Sequence, residues 1–280
     1  MTDARAPAKA ALLEDAVAVV TGGASGIGGA VSRLLASNGA AVAIADIDGE
    51  AAAATAREIA AAGGRARAHS TDVRVVAAVA HLAEEVLAEH GRVDVLVNNV
   101  GHYLRAVPFG RSDAAHWDAL YQVNLHHVFL VTRAFLPAMI ERRRGSIINV
   151  SSVEGLRGYP PDPVYAAFKA AVVQFTRSLA LELGRRGIRV NGIAPDLTQT
   201  PQVDYATGVP AEQQHLWESW APIGRVGLPA DQAEVVLFLA SEQSRFVTGH
   251  TIPTDGGTLA GGGWFWSPSR RRWTNRPQDP

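Results

Sequence analysis

Three side chains in the second half of the chain are spaced for proton-transfer chemistry. Tyr165 and Lys169 stand four residues apart in PVYAAFKAAVVQFTRSLALEL, and Ser152 precedes Tyr165 by thirteen residues. On a helix, Tyr165 and Lys169 share one face, a turn apart. A free phenol, with a pKa of about 10, exchanges protons poorly at neutral pH. A neighbouring ammonium favours the phenolate and lowers that pKa, which makes the phenol a usable general acid/base. A serine hydroxyl within reach would hold a carbonyl or alcohol oxygen against it. A Tyr-x-x-x-Lys spacing is common by chance, so its weight depends on the elements that carry it.

Those elements alternate. Short apolar runs at 16–20 (AVAVV), 41–45 (AVAIA), 93–99 (VDVLVNN), 145–152 (GSIINVSS) and GIRVNGIAP read as buried strands, with RARAHS a weaker one and a short strand at 250–253. Helical patterns separate them at 49–62, 75–89, 113–143, the stretch carrying Tyr165 and Lys169, and 230–239. Apolar strands alternating with helices predict an α/β fold: a single-domain, Rossmann-type, doubly wound parallel sheet of about seven strands, covered on both faces. No internal repeat or linker divides it. We place the domain at 1–258, with a substrate lid at about 196–222 and a C-terminal extension at 259–280.

The first strand-to-helix turn is TGGASGIG. At this position a parallel sheet presents backbone N–H groups and the positive end of a helix to a dinucleotide pyrophosphate. Gly22, Ser25, Gly26, Ile27 and Gly28 are therefore candidate cofactor contacts, the glycines admitting close approach of the phosphates. Asp46, at the end of the second strand, is placed to accept both ribose hydroxyls of an adenosine and to repel a 2′-phosphate; capping the following helix is its ordinary alternative role. Gly23 supplies no cation for a 2′-phosphate. The expected cofactor is thus NAD(H) rather than NADP(H).

Composition narrows the partners. The 280 residues are 47% hydrophobic and 19% charged, with formal net charge −1 and no cysteine. No global field draws nucleic acid or an anionic membrane, and no thiol chemistry or disulfide framework is available. The N-terminal stretch lacks a signal-peptide core and no apolar run reaches membrane-spanning length, so a cytoplasmic protein with no membrane partner is expected. His102, His126 and His127 lack a ligand pattern for a metal.

Together the motifs resemble the short-chain dehydrogenase/reductase family, from about residue 15 to 258: TGGASGIG, Asp46, Asp72-Val73, NNVG at 98–101, Asn124 in YQVNLHHVF, Ser152 in INVSS, YAAFK, RVNGIAP and VTGHTIPTDGG. The resemblance is to the subgroup of about 250 residues with a TGxxxGxG turn. It implies Tyr165 as general acid/base, Lys169 lowering the pKa of Tyr165 and binding the nicotinamide ribose, Ser152 bonding the substrate oxygen, and Asn124 positioning a water of a proton relay. It further implies Asp72 and Val73 at the adenine, and Asn98 and Gly101 by its ribose. Pro195, with Thr198 or Thr200, is expected to meet the nicotinamide carboxamide or the pyrophosphate. The substrate would be a small-molecule alcohol or ketone. A homodimer or homotetramer through 113–143 and 162–184 is the expected assembly.

By family position the substrate pocket draws on His102, Tyr103, Leu104, Glu154, Leu156 and Tyr159, with Trp217 and Trp220 in the lid. Aromatic walls favour a cyclic or aromatic substrate. The chain departs from the family at Val100, at Asp196 where glycine usually follows the proline, and in its tail. That tail holds Trp264, Phe265, Trp266, Trp273 and Arg270–Arg272; subunit packing or closure over the substrate are both open to it. The rival readings are an NADPH-dependent carbonyl or enoyl reductase, and a non-catalytic dinucleotide-binding protein.

Overall fold

The computed structural model describes residues 12–213 and 221–262, and of the tail the backbone of two short strands. Seven parallel strands form one sheet: β1 (Val17–Thr21), β2 (Ala41–Asp46), β3 (Arg65–Ser70), β4 (Val95–Asn98), β5 (Gly145–Val150), β6 (Ile188–Pro195) and β7 (Thr251–Thr254), in the order β3-β2-β1-β4-β5-β6-β7. The register pairs Val17 with Ala41 on one side of β1 and Ala18 with Val95 on the other. The chain reverses its winding between β1 and β4, and this switch point opens a crevice at the carboxyl edge of the sheet.

β1 and β4 are buried throughout and, apart from Thr21 and Asn98 at their ends, apolar, because helices cover both faces. On one face lie α1 (Gly26–Ser37), α2 (Gly49–Ala61) and α8 (Pro229–Ala240), contributing Val31, Leu35, Ile59, Val236 and Leu239 to the core. On the other lie α3 (Val76–His90), α5 (His127–Arg142) and α6 (Pro163–Leu183), contributing Leu82, Phe135, Met139, Leu179 and Leu183. α7 (Tyr205–Gly208) is a single turn in the segment after β6.

Two features differ from the sequence reading. The helical region at 113–143 is not one helix: α4 (Ala114–Tyr121) passes through a five-residue π turn, Gln122–His126, into α5. By length and apolar composition alone Ala114–Arg142 would cross a membrane, contrary to the expectation of no such run. Here Val128, Val131, Phe135 and Met139 are buried, as in a core helix. The tail, read without regular structure, forms an antiparallel hairpin, β8 (Phe265–Ser267) with β9 (Arg272–Thr274), whose register sets Trp266 opposite Trp273. Trp217, Trp220 and Trp264 lie outside the described residues.

Candidate active site

The glycine turn between β1 and α1 is built around backbone contact. Gly22 and Gly26 adopt positive φ (60° and 53°), and a Cβ on Gly28 would fall 2.0 Å from the Gly22 carbonyl oxygen. Ser25 stands at the N-cap of α1 without a capping side-chain bond, and the first turn carries no acidic residue. The helix terminus is thus electrically and sterically suited to a pyrophosphate. Thr200 closes over it, 3.6 Å from the position a Gly26 Cβ would take. Thr198 does not join it: its hydroxyl donates to the Asp196 carbonyl and accepts from Gln232.

The Asp46 carboxylate accepts from Ala24 N (3.0 Å) and Asp48 N (3.1 Å), which draws the end of β2 against the glycine turn. Helix capping falls instead to Asp48, which accepts from Ala51 N. After β3, Arg74 grips the Asp72 carboxylate through two nitrogens at 2.8 Å, and Val73 is buried in the core. The side chain of Asn98 is not presented to a ribose. It is buried and donates to Thr132 and Asn149, because the end of β4 still belongs to the sheet interior. Its neighbour Asn99 reaches the turn instead, donating to the carbonyls of Thr21 and Gly22.

α6 carries the phenol and the amine. It starts at Asp162, fully buried, which caps the helix by accepting from Tyr165 N and also accepts from Val107 N, with His116 Nε2 3.0 Å away. Pro163 sits in the first turn, where its missing N–H loses nothing. Gly155 lets the loop after β5 rest on α6: a Cβ there would meet the Lys169 carbonyl carbon at 2.6 Å. These contacts set the height of Tyr165 beside Ser152, whose hydroxyl acts on the phenol. Lys169 Nζ lies 5.8 Å from the Tyr165 ring centre and donates to the Val150 carbonyl.

Protonation differs from the sequence expectation. Burial raises the Tyr165 phenol above its ordinary value; the Ser152 hydroxyl opposes this, and Tyr159, Glu154 and Asp196 add to it. Burial pushes Lys169 down to about 8. Lys169 therefore does not outweigh desolvation here, and at neutral pH the phenol holds its proton while the amine remains largely charged.

The Asn124 amide is held by the loop after β4: Nδ2 donates to the carbonyls of His102 (2.8 Å) and Leu120, and Oδ1 accepts from His102 N. Gly101 lies between it and the amine, its would-be Cβ 2.6 Å from Lys169 Nζ and 3.3 Å from Asn124 Oδ1. Gly101→Ala should displace the ammonium and lower kcat by about 10- to 100-fold, the effect of a misplacement on the ångström scale. Steady-state rates together with thermal melting check this, and an unimpaired kcat would show that the amine's position is not critical.

Of the expected pocket residues, Tyr159 packs edge-on to Tyr165 with ring centres 5.9 Å apart, and His102 and Tyr103 form a tilted pair at 5.4 Å. Burial pulls the His102 imidazole below its ordinary value, and its Nδ1 accepts from Leu104 N. Glu154 is engaged by Arg157, which also reaches Asp196. Arg157, Gly155 and Asp162 went unrecognised in the sequence; the aspartate standing for glycine at 196 was the one signal for the arginine.

A dinucleotide cradle at the switch point and a serine–tyrosine–lysine crevice beside it define an oxidoreductase working with a nicotinamide dinucleotide. Comparison with known proteins agrees. A family profile described as Enoyl-(Acyl carrier protein) reductase matches residues 22–258. The chain is 41% identical to the 3-oxoacyl-[acyl-carrier-protein] reductase FabG of Thermotoga maritima, over 88% of this chain and 99% of that protein. It is 42% identical to the cis-4-hydroxycyclohexanecarboxylate dehydrogenase of Sinomonas cyclohexanicum, over 87% and 96%. Among solved structures, a 7α-hydroxysteroid dehydrogenase complexed with NADH and 7-oxo glycochenodeoxycholic acid superposes with TM-score 0.83 at 31% identity, covering 89% and 96%. The chain belongs to the short-chain dehydrogenase/reductase family.

Proposed function

We propose that this protein interconverts a secondary alcohol and a ketone, cyclic or aromatic, with NAD(H). The observation that carries the reading is the grouping of buried Ser152 and Lys169 about Tyr165, with Lys169 one turn on and its Nζ 5.8 Å from the Tyr165 ring centre. The dinucleotide supplies or accepts the hydride at the reacting carbon. In reduction Tyr165 gives its proton to the carbonyl oxygen, while Ser152 donates a hydrogen bond to the charge developing there. Lys169 keeps a positive charge beneath the phenol as it becomes phenolate, and binds the nicotinamide ribose. Asn124 holds the water through which the proton is replaced.

The cyclic substrate class is supported by two aromatic pairs, Tyr159 with Tyr165 and His102 with Tyr103, and by relatives named for a hydroxylated cyclohexane and a hydroxysteroid. A second reading, NADPH-dependent reduction of a 3-oxoacyl group, is favoured by the likeness to the acyl-carrier-protein reductase. We assign the protein to the cytoplasm, as a homodimer or homotetramer through α4, α5 and α6, where Phe129 and Leu181 leave apolar surface exposed.

The test is a screen of cyclic and aromatic secondary alcohols with NAD+, and of the ketones and a 3-oxoacyl thioester with NADH and NADPH, followed at the nicotinamide absorbance. Turnover of the thioester alone removes the first reading. For the cofactor, Asp46→Ala should erode the preference for NADH over NADPH by about tenfold or more, since a carboxylate that repels the 2′-phosphate is gone. An unchanged ratio of the two kcat/KM values removes the role given to Asp46.

A further inference from the structure

His116 takes no part in the reaction proposed above, yet it is bonded to the group that seats the phenol. Asp162, fully buried at the N-cap of α6, accepts from Tyr165 N at Oδ1 (3.0 Å). Its Oδ2 faces His116 Nε2 of α4 at 3.0 Å and takes a longer bond, 3.4 Å, from Val107 N in the loop after β4. An ionised carboxylate only accepts, so the imidazole nitrogen facing it carries the proton. Three elements therefore meet on one carboxylate: the helix of Tyr165, the loop of the pocket wall, and α4.

The same helical run fastens that loop at a second point. Asn124, in the π turn that follows α4, bonds His102 at both its N–H and its carbonyl. His116 is itself seated by the first turn of α4, where its N–H donates to the Asp113 cap at 2.9 Å. The next residue, Trp117, stacks parallel on Phe109 with ring centres 5.6 Å apart and donates from its indole to Ser112. The loop that carries His102 and Tyr103 is thus held at 102 by Asn124 and at 107 through Asp162.

We propose that His116 is a positioning residue: through Asp162 it seats the first turn of α6, and with it Tyr165, against the loop that carries His102 and Tyr103. Of the two donors on Asp162 Oδ2 the imidazole makes the shorter bond, so it decides whether that oxygen stays inward. Without it, a fully buried carboxylate oxygen keeps one long bond, and an under-satisfied buried acceptor is costly. The relief open to Asp162 is to turn toward water, which releases Tyr165 N and Val107 N together. For its effect on rate the proposal rests on the ketone-reductase reading above, which it deepens by naming what aligns the pocket wall with the phenol.

The test compares His116→Leu, which removes the donor, with His116→Gln, whose amide nitrogen can take the place of Nε2. Amide hydrogen exchange, read by mass spectrometry, should quicken several-fold over 163–168 in His116→Leu and stay unchanged over 172–183, as a lost helix cap frees the first turn alone. With a ketone that the wild type reduces, kcat should fall by about tenfold or more, the effect of misalignment on the ångström scale. Dinucleotide binding should hold, since the glycine turn lies on another element. His116→Gln should recover most of both losses. Exchange unmoved in His116→Leu overturns the proposal, and so does faster exchange with an undiminished kcat, or a glutamine variant as impaired as the leucine one. Thermal melting of each variant is followed alongside, and His116→Asn, whose shorter amide falls short of Asp162, replaces His116→Leu if that variant does not fold. A wild-type protein that reduces no ketone loses the proposed reaction, while the exchange comparison still decides whether His116 holds the start of α6.

Discussion

Tyr165→Phe is expected to lower kcat by about a thousandfold, within the range supplied by a positioned general acid/base, and to leave dinucleotide binding nearly unchanged. The substitution removes only the hydroxyl; the ring keeps its edge-on contact with Tyr159, and the glycine turn that would bind the pyrophosphate belongs to a different element. Dissociation constants from nicotinamide fluorescence and single-turnover rates separate the two effects. Retention of most of the wild-type rate would transfer the proton chemistry to another group and end the proposed mechanism. The protonation state refines the expectation. Burial keeps the phenol loaded as a proton donor, so the first group to titrate as pH rises is Lys169, at about 8. In the wild type, kcat/KM for reduction, which reports the free enzyme, should fall as pH rises through about 8.

The largest loss of stability is expected for Arg157→Met. The substitution keeps an apolar stem of similar length but takes from Glu154 and Asp196, both about a tenth exposed, the guanidinium they share. Breaking a buried ion pair by removing one partner costs about 3–5 kcal/mol. Urea unfolding at pH 7 measures the loss. A deficit at neutral pH below about 1 kcal/mol would mean that water reaches the cluster freely.

Much of this site is legible in the chain because its determinants are local. The strands show as apolar runs bounded by turns, since both faces of the sheet are covered. The glycine turn shows because no side chain fits between Gly28 and Gly22, and Tyr165 and Lys169 show because helical spacing is fixed. Properties that depend on long-range packing were hidden. The direction of the Tyr165 shift depends on how dry the crevice is, which no spacing reveals. Asn98 is expected beside the adenine ribose, yet its amide is spent on Thr132 and Asn149, contributed by distant elements. Arg157 looks like an ordinary loop arginine until β6 brings Asp196 to within 2.9 Å.

The π turn at Gln122–His126 carries a further consequence. Such a turn accommodates one residue beyond the α-helical count. Deleting a single residue there would let α4 and α5 merge into an unbroken cylinder, and a one-residue slip rotates whatever follows by about 100°. Phe135 and Met139, locked against the sheet, cannot turn, so the rotation would fall on the Asn124 side and pull its amide from the His102 backbone. In this stretch, chain length itself is under functional constraint, and a lineage could lose the enzyme by a frame-preserving deletion that leaves the fold standing.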